Sequence, residues 1–479
     1  MPFGWALIPV AVLIALLAYT IIVLEGSGHL PLVLGASVAG LVAWAHGYEW
    51  KAIQDGMVQA ISMAMGAALI LLTIGVLMGT WIAAGIVPAM IAWGLKLLSP
   101  AWFLPASCAV CSIVSLVSGS SWSTAGTVGI ALIGIGEAMG VDPAMTAGAV
   151  ISGAYFGDKL SPMSDTTNLA PAMAGAELFP HIRHMLWTTV PAWLLSMTAF
   201  TILGLRFDAA GAGTDVSAIT GVIDGQFSPS LLHLLVPAVV AVMVAFKLPA
   251  LPTLLTGALL GGVLAWIFGM PLDAVLATAM DGYKPETGSA AVDELLARGG
   301  LNSMASTVLL ILCAMCFGGI MERTGQLRVL ASKTLVVAKS QGSLITATIL
   351  TSIGVNLLAA DQYLAVVVPG RMYAEEYEKR GLDPRNLSRA LEDGGTITSA
   401  LIPWNTCGAF MASTLGVATF AYLPYCFLNL LNPMIGMLYG FTGWTLIPLN
   451  AGGELGAEDG LPKAEKAEKA ERVGRHTSA

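Results

Sequence analysis

Charge is scarce in this chain. Asp, Glu, Lys and Arg make up 11% of its 479 residues, against 56% hydrophobic residues and a mean hydropathy of +0.78. A soluble globular domain carries about twice that share of charge, so an aqueous fold is excluded. No Lys/Arg run is present that would hold nucleic acid. Much of the charge sits in one polar loop and the C-terminal tail, and the net charge of −8 identifies no partner. Nor does any Lys or Arg precede the first apolar run, Trp5–Leu24, which is longer than the core of a cleaved signal peptide. It reads as a retained first membrane helix. Six cysteines argue against a disulfide scaffold. The pairs Cys108/Cys111 and Cys313/Cys316 lie within apolar helical stretches and read as small packing residues rather than a zinc or redox site. Gly-x-Ser-x-Gly, His-Glu-x-x-His and Walker loops are missing, so no enzyme and no cofactor is expected.

What the chain has in quantity is apolar sequence of spanning length, starting with Trp5–Leu24 and Leu30–His46. A spanning helix takes about 20 such residues. The expected fold is an all-α polytopic membrane protein with about 10–14 membrane helical segments, counting broken and re-entrant ones.

The chain also repeats itself. Shifted by 241, Gly140-Val141-Asp142-Pro143 falls on Gly381-Leu382-Asp383-Pro384. In the same register Ala149 meets Ala390, Gly153 meets Gly394, Leu160 meets Leu401, Pro162 meets Pro403 and Gly175 meets Gly416. The expected organisation is transmembrane repeat one over 1–225, repeat two over 226–450 and a polar, disordered tail over 451–479, with Asp208–Ser228 as a connecting loop. Charge suggests that the second repeat is inverted. Arg371, Lys379, Arg380, Arg385 and Arg389 lie between Gly370 and Arg389, whereas the matching stretch Gly129–Gly148 has no Lys or Arg. Cytoplasmic loops are rich in Lys and Arg. The same loop therefore faces opposite sides in the two halves, and both termini fall on one side, the cytoplasm. Inverted repeats with interrupted helices are the architecture of secondary transporters, with the substrate near the midplane where the breaks meet.

One run carries the most chemistry: Gly157-Asp158-Lys159-Leu160-Ser161-Pro162-Met163-Ser164-Asp165-Thr166-Thr167-Asn168. Charge inside lipid costs free energy, and proline breaks the helical ladder, so such a segment is expected to line a polar cavity. Pro162 and Pro403 mark helix breaks at matched positions. Asp158, Asp165, the hydroxyls of Ser161, Ser164, Thr166 and Thr167 and the amide of Asn168 form an all-oxygen set suited to a small hard cation such as Na+. An Asp158–Lys159 ion pair and a capping role for the threonines are the structural alternatives. Asp361, a lone acid matching Ser120, reads equally as a ligand and as a helix-end acid. In the second copy Ser399 stands for Asp158, Asn405 for Ser164 and Thr406 for Asp165. Thr398, Asn405 and Thr406 are expected at the cavity. Glu392 and Asp393 are candidates for proton-coupling or gate groups beside Asp158 and Asp165, unless they are surface charges flanking the loop. His181 and His184 read as an interfacial face.

Over Gly157–Pro171, and again at Ala360-Asp361-Gln362-Tyr363, Pro369–Tyr373 and Ile402-Pro403-Trp404-Asn405-Thr406-Cys407-Gly408, the chain resembles the NhaC family of bacterial sodium/proton antiporters. The resemblance covers the whole membrane region. It implies a multi-pass antiporter of the bacterial inner membrane that exchanges Na+ for H+. Relatives with these motifs exchange malate and lactate, so a sodium-coupled organic-acid antiporter is the alternative. The partners expected are the lipid bilayer, Na+ and H+, with a homodimer left open.

Overall fold

The computed structural model describes residues 1–24, 26–206, 219–246 and 248–449. The expected tail over 451–479 lies outside them. So does 208–218 of the stretch expected as a loop; of its remainder, 219–227 is helical.

Apart from one bridge pair, Leu382 with Pro448, the described residues form helices, turns and loops. The longer helices are α1 (Phe3–Ala18), α2 (His29–Ala45), α3 (Trp50–Ala83), α4 (Ile86–Leu97), α5 (Pro100–Ser118), α6 (Ile130–Ala138), α7 (Pro143–Leu160), α8 (Asp165–Ala174) and α9 (Leu178–Arg206). They continue with α10 (Leu235–Ala245), α11 (Ala250–Ile267), α12 (Leu301–Arg323), α13 (Gln326–Val337), α14 (Gln341–Ala359), α15 (Gln362–Lys379), α16 (Pro384–Leu391), α17 (Thr406–Leu415) and α18 (Phe427–Thr442). Among the described residues, seven helices are long and apolar enough to cross a bilayer. The number is eight if Thr406–Leu415 and Thr419–Tyr425, bent by 89°, form one span. The remaining elements are shorter or broken.

Two segments break near their middles. The first starts at Asp142, whose carboxylate accepts from Ala144 N–H at 2.8 Å, with Pro143 in the first helical position. α7 then runs to Leu160, the chain extends through Ser161, and α8 restarts at Asp165 behind Ser164. The second starts at Asp383, which accepts from Arg385 N–H at 2.9 Å ahead of Pro384. α16 passes into a π-helical turn, Glu392–Thr396, and a 3-10 turn, Ser399–Leu401. α17 restarts at Thr406 behind Asn405. Each proline sits in the gap, where no helical hydrogen bond has to be made.

The two broken segments run antiparallel. Arg298 pairs with Glu137, just before α7 begins, and lies against Gly416, where α17 ends. At the other end His181, just after α8, bonds Ser388 near the start of α16 at 2.7 Å. Tyr155 and Ser399 meet between them at 3.2 Å.

Two turns reach into the middle of the bundle. After α5 the chain turns at Gly119, in the left-handed region at φ 69°, into the short helix Ser121–Thr124, a π turn and α6. A Cβ on Gly119 would lie 2.6 Å from Met163 Cβ, so only glycine lets this turn touch the first break. The turn between α14 and α15 uses Ala360 at φ 57°, a strained position for a residue with a side chain. It is pinned by a bond from Thr406 N–H to Ala360 O at 2.9 Å.

α3 and α12 cross closely and frame this interior. Gly300 N–H donates to Gly75 O at 2.7 Å, and a Cβ on Gly75 would lie 2.4 Å from Gly300 O. Gly75→Ala should therefore destabilise the protein by about 1–3 kcal/mol through overpacking. Thermal unfolding of the detergent-purified variant measures this, and an unchanged midpoint would contradict the tight crossing.

Candidate functional site

The two turns, the first break and the α10–α11 connection enclose a cavity of about 460 Å³. Asp158, Asp165 and Asp361 line it, with Ser118, Ser120, Ser123, Ser164, Thr166 and Thr406 adding hydroxyls and Trp122 and Tyr363 adding aromatic surface. Among the described residues no Lys, Arg or His lines it.

Each acid is placed differently. Asp158 sits in the last turn of α7, 8% exposed, and its Oδ2 accepts from Ser121 Oγ at 2.6 Å and Ser121 N–H at 3.1 Å. Those bonds tie the first broken segment to the Gly119 turn. Asp165 opens α8 and is exposed to the cavity. Asp361 caps α15: its Oδ1 accepts from Tyr363 N–H at 2.9 Å and Leu364 N–H at 3.0 Å, while the residue also lines the cavity. The two readings of Asp361, helix-end acid and cavity acid, describe the same residue.

Several expected ligands are engaged in holding the breaks together and do not line the cavity. Thr167 Oγ1 donates to the carbonyls of Asp158 and Lys159, at 3.1 Å each, closing the open end of α7. Asn168 Nδ2 spans the gap to Pro162 O at 2.9 Å and Ser164 O at 2.7 Å. Ser161 Oγ accepts from Met163 N–H at 3.3 Å. In the second copy Asn405 accepts from Cys407 N–H at 3.0 Å and donates to Asn356 Oδ1 at 3.0 Å, and Thr398 Oγ1 donates to Gly394 O at 2.6 Å. The physical reason is common to all five. A broken helix leaves backbone groups that lipid cannot satisfy, and short polar side chains satisfy them locally.

Lys159 does not pair with Asp158. Consecutive helical residues point about 100° apart, and Lys159 turns away from the cavity to an ion pair with Asp393, both fully buried. Thr188 Oγ1 at 3.1 Å and Asn432 Nδ2 at 2.7 Å also donate to Asp393 Oδ1. Glu392 and Asp393 are therefore not surface charges: α14 and α15 pack on the π turn that carries them, and Thr188 of α9 and Asn432 of α18 close over Asp393. His181 and His184 are likewise buried rather than interfacial. Ser121, Thr188 and Asn432 were not anticipated. Only Ser121 carried a signal, since it follows Ser120, the residue that matches Asp361.

These features describe a polytopic helical membrane protein built around an acid-lined cavity at a helix break. A model of the Na+/H+ antiporter family matches residues 153–444. The chain is 38% identical to the Na+/H+ antiporter NhaC of Alkalihalophilus pseudofirmus over 442 residues, 92% of this chain and 96% of that protein. It is 39% identical to the arginine/ornithine antiporter ArcD of Halobacterium salinarum over 93% of both chains, and 36% identical to the malate-2H+/Na+-lactate antiporter of Bacillus subtilis over 91% of this chain and 94% of that protein. The chain belongs to the Na+/H+ antiporter family.

Breaking a buried ion pair strands the remaining charge, at a cost of about 3–5 kcal/mol, whereas removing both charges is far milder. Lys159→Met should therefore lower the unfolding midpoint sharply, and Lys159→Met with Asp393→Leu should recover much of the loss. Equal loss in the single and double variants would contradict the pairing.

Proposed function

We propose that this chain exchanges Na+ for protons across the bacterial inner membrane by alternating access, with Asp158 and Asp165 as the carboxylates that the two ions share. The observation that carries the reading is the orientation of Lys159. Because its ammonium is matched by Asp393, the negative charge of Asp158 stays uncompensated and faces the cavity. Burial disfavours that charge unless a cation or a proton neutralises it. Asp361 offers its second oxygen, and the hydroxyls of Ser164, Thr166 and Thr406 complete a hard-oxygen set for Na+.

Exchange follows from the cost of the empty state. Bound Na+ or H+ lowers the negative charge of the site, so the loaded site crosses more cheaply between the two faces. Empty, it would carry buried charge at a penalty of several kcal/mol. Alternating access requires two states of similar free energy, which an inverted pair of halves, 1–225 and 226–450, would supply. The antiparallel run of the broken segments supports that arrangement. Orientation is supported by contacts at the Arg371–Arg389 end. Arg380 bonds Ala338 O and Ser340 O there, Leu382 bridges Pro448, and Lys333 lies over the Phe3 ring on the neighbouring helix. Both ends of the membrane region then face the cytoplasm.

A sodium-coupled organic-acid antiporter is the second reading. The cavity volume favours it, since 460 Å³ greatly exceeds the share of about 30 Å³ taken by one water molecule. The scarcity of cationic lining among the described residues favours a bare cation instead. Malate or lactate added to sodium-loaded proteoliposomes separates the two readings.

Asp165→Asn should abolish sodium-dependent proton movement in everted membrane vesicles, and Asp158→Asn should do the same. Wild-type exchange in either variant would overturn the shared-carboxylate reading.

A further inference from the structure

The polar interior continues behind the cavity. On the far side of α7 from the cavity, the Lys159–Asp393 pair leads into a second group of buried charges that the cation site does not use. Glu392, next to Asp393 in the π turn, has no exposed surface, and neither of its carboxylate oxygens has a hydrogen-bond partner. Arg389, one helical turn earlier, is 1% exposed; its Nη1 reaches Thr445 at 2.8 Å and its Nη2 has no partner. Asp393 Oδ2 is also unpartnered. Among the described residues, Arg389 has no carboxylate within ion-pair distance and Glu392 has no cation. π turns inside α-helices recur at functional sites because they leave backbone and side chains out of the regular ladder.

We propose that Glu392 is an internal proton-binding site, separate from the cation cavity and joined to it through the Lys159–Asp393 pair. The inference rests on the proton-exchange reading above and adds a route to it. Glu392 holds one proton as a carboxylic acid. When the proton leaves, the carboxylate that remains faces the ammonium of Lys159. Asp158 also lies within electrostatic reach of Glu392, so a proton leaving Glu392 has a cavity carboxylate in range.

The ionisable groups around Glu392 come from several elements. α7 contributes Asp158 and Lys159, the π turn Asp393, and α16 Arg389. Beyond them, His181 on α9 faces Lys159, and His184 on α9, Tyr377 on α15 and Tyr439 on α18 face Arg389. α14 presents Ser352, and Asp165 on α8 faces the cavity instead. Two of these groups, His181 and His184, each carry an unpartnered Nε2. They lie toward the end of the bundle where His181 meets Ser388, and so extend the polar track from Glu392 outward.

The test separates proton movement from cation movement in the full chain, reconstituted in proteoliposomes. Radioactive sodium counterflow needs no proton, whereas a sodium gradient that drives a pH change in a trapped dye does. Glu392→Gln keeps the side-chain shape and removes the titratable proton. The expected result is sodium counterflow at the wild-type level with sodium-driven proton flux reduced about 10²-fold or more, and partial recovery in Glu392→Asp. Unchanged proton flux in Glu392→Gln would overturn the proposal. Loss of both fluxes in a variant that unfolds at the wild-type temperature would overturn it too, because Glu392 would then belong to the shared cation cycle. A wild-type protein with no sodium counterflow defeats the sodium reading instead. The same pair of measurements on the cargo that does exchange then decides the role of Glu392.

Discussion

Asp158 and Lys159 are neighbours in sequence and face opposite ways. If they paired with each other, the charge of Asp158 would be compensated and the second half of the chain would lose its ion pair with α7. The helix prevents it. Successive side chains diverge by about 100°, and the break at Ser161-Pro162 places both residues in the last turn before the gap. Asp158 is then fixed by Ser121 on one side, and Lys159 by Asp393 on the other. Each bond joins the first broken segment to a different element, so the charge pattern and the packing are set together.

The rest of the interior follows from satisfying the breaks. In a bilayer every interrupted helix exposes N–H and C=O groups with no water to receive them. Ser164, Asn405 and Asp361 cap the restarting helices, Thr167 and Asn168 close the gaps, and Asn356 links Asn405 to the π turn with a bond to Gly395 O at 2.5 Å. The candidate site is the part of this polar interior that faces the cavity: Asp158, Asp165, Asp361, which caps a helix as well, and a ring of hydroxyls. A cation or a proton neutralising these groups is consistent with the family to which the chain belongs.

The positions where chain geometry is decided locally could be read from the sequence. Asp142-Pro143 and Asp383-Pro384 start helices, and Pro162 and Pro403 fall in gaps, because capping and the missing proline N–H act within a few residues. Asp158, Asp165 and Asp361 were legible as interior acids because apolar sequence surrounds them. Partnerships across the fold were not legible. Lys159 and Asp393 are 234 positions apart, and the burial of Glu392 depends on helices distant in sequence, α14, α15 and α18 among them. Two adjacent acids before Gly394-Gly395 look like surface charge until those helices cover them. Likewise, nothing local distinguishes a serine that lines a cavity from one that repairs a break, so Ser161, Thr167, Asn168, Thr398 and Asn405 carried a ligand signature while serving the backbone.

The central claim is that sodium and protons take turns on the same cavity carboxylates. Equilibrium sodium binding to the purified protein, measured across a series of pH values, tests it directly. Competition for one shared carboxylate predicts that, below the pH at which that group begins to bind its proton, apparent sodium affinity falls about tenfold for each unit of acidification. An affinity that stays constant with pH would contradict the account.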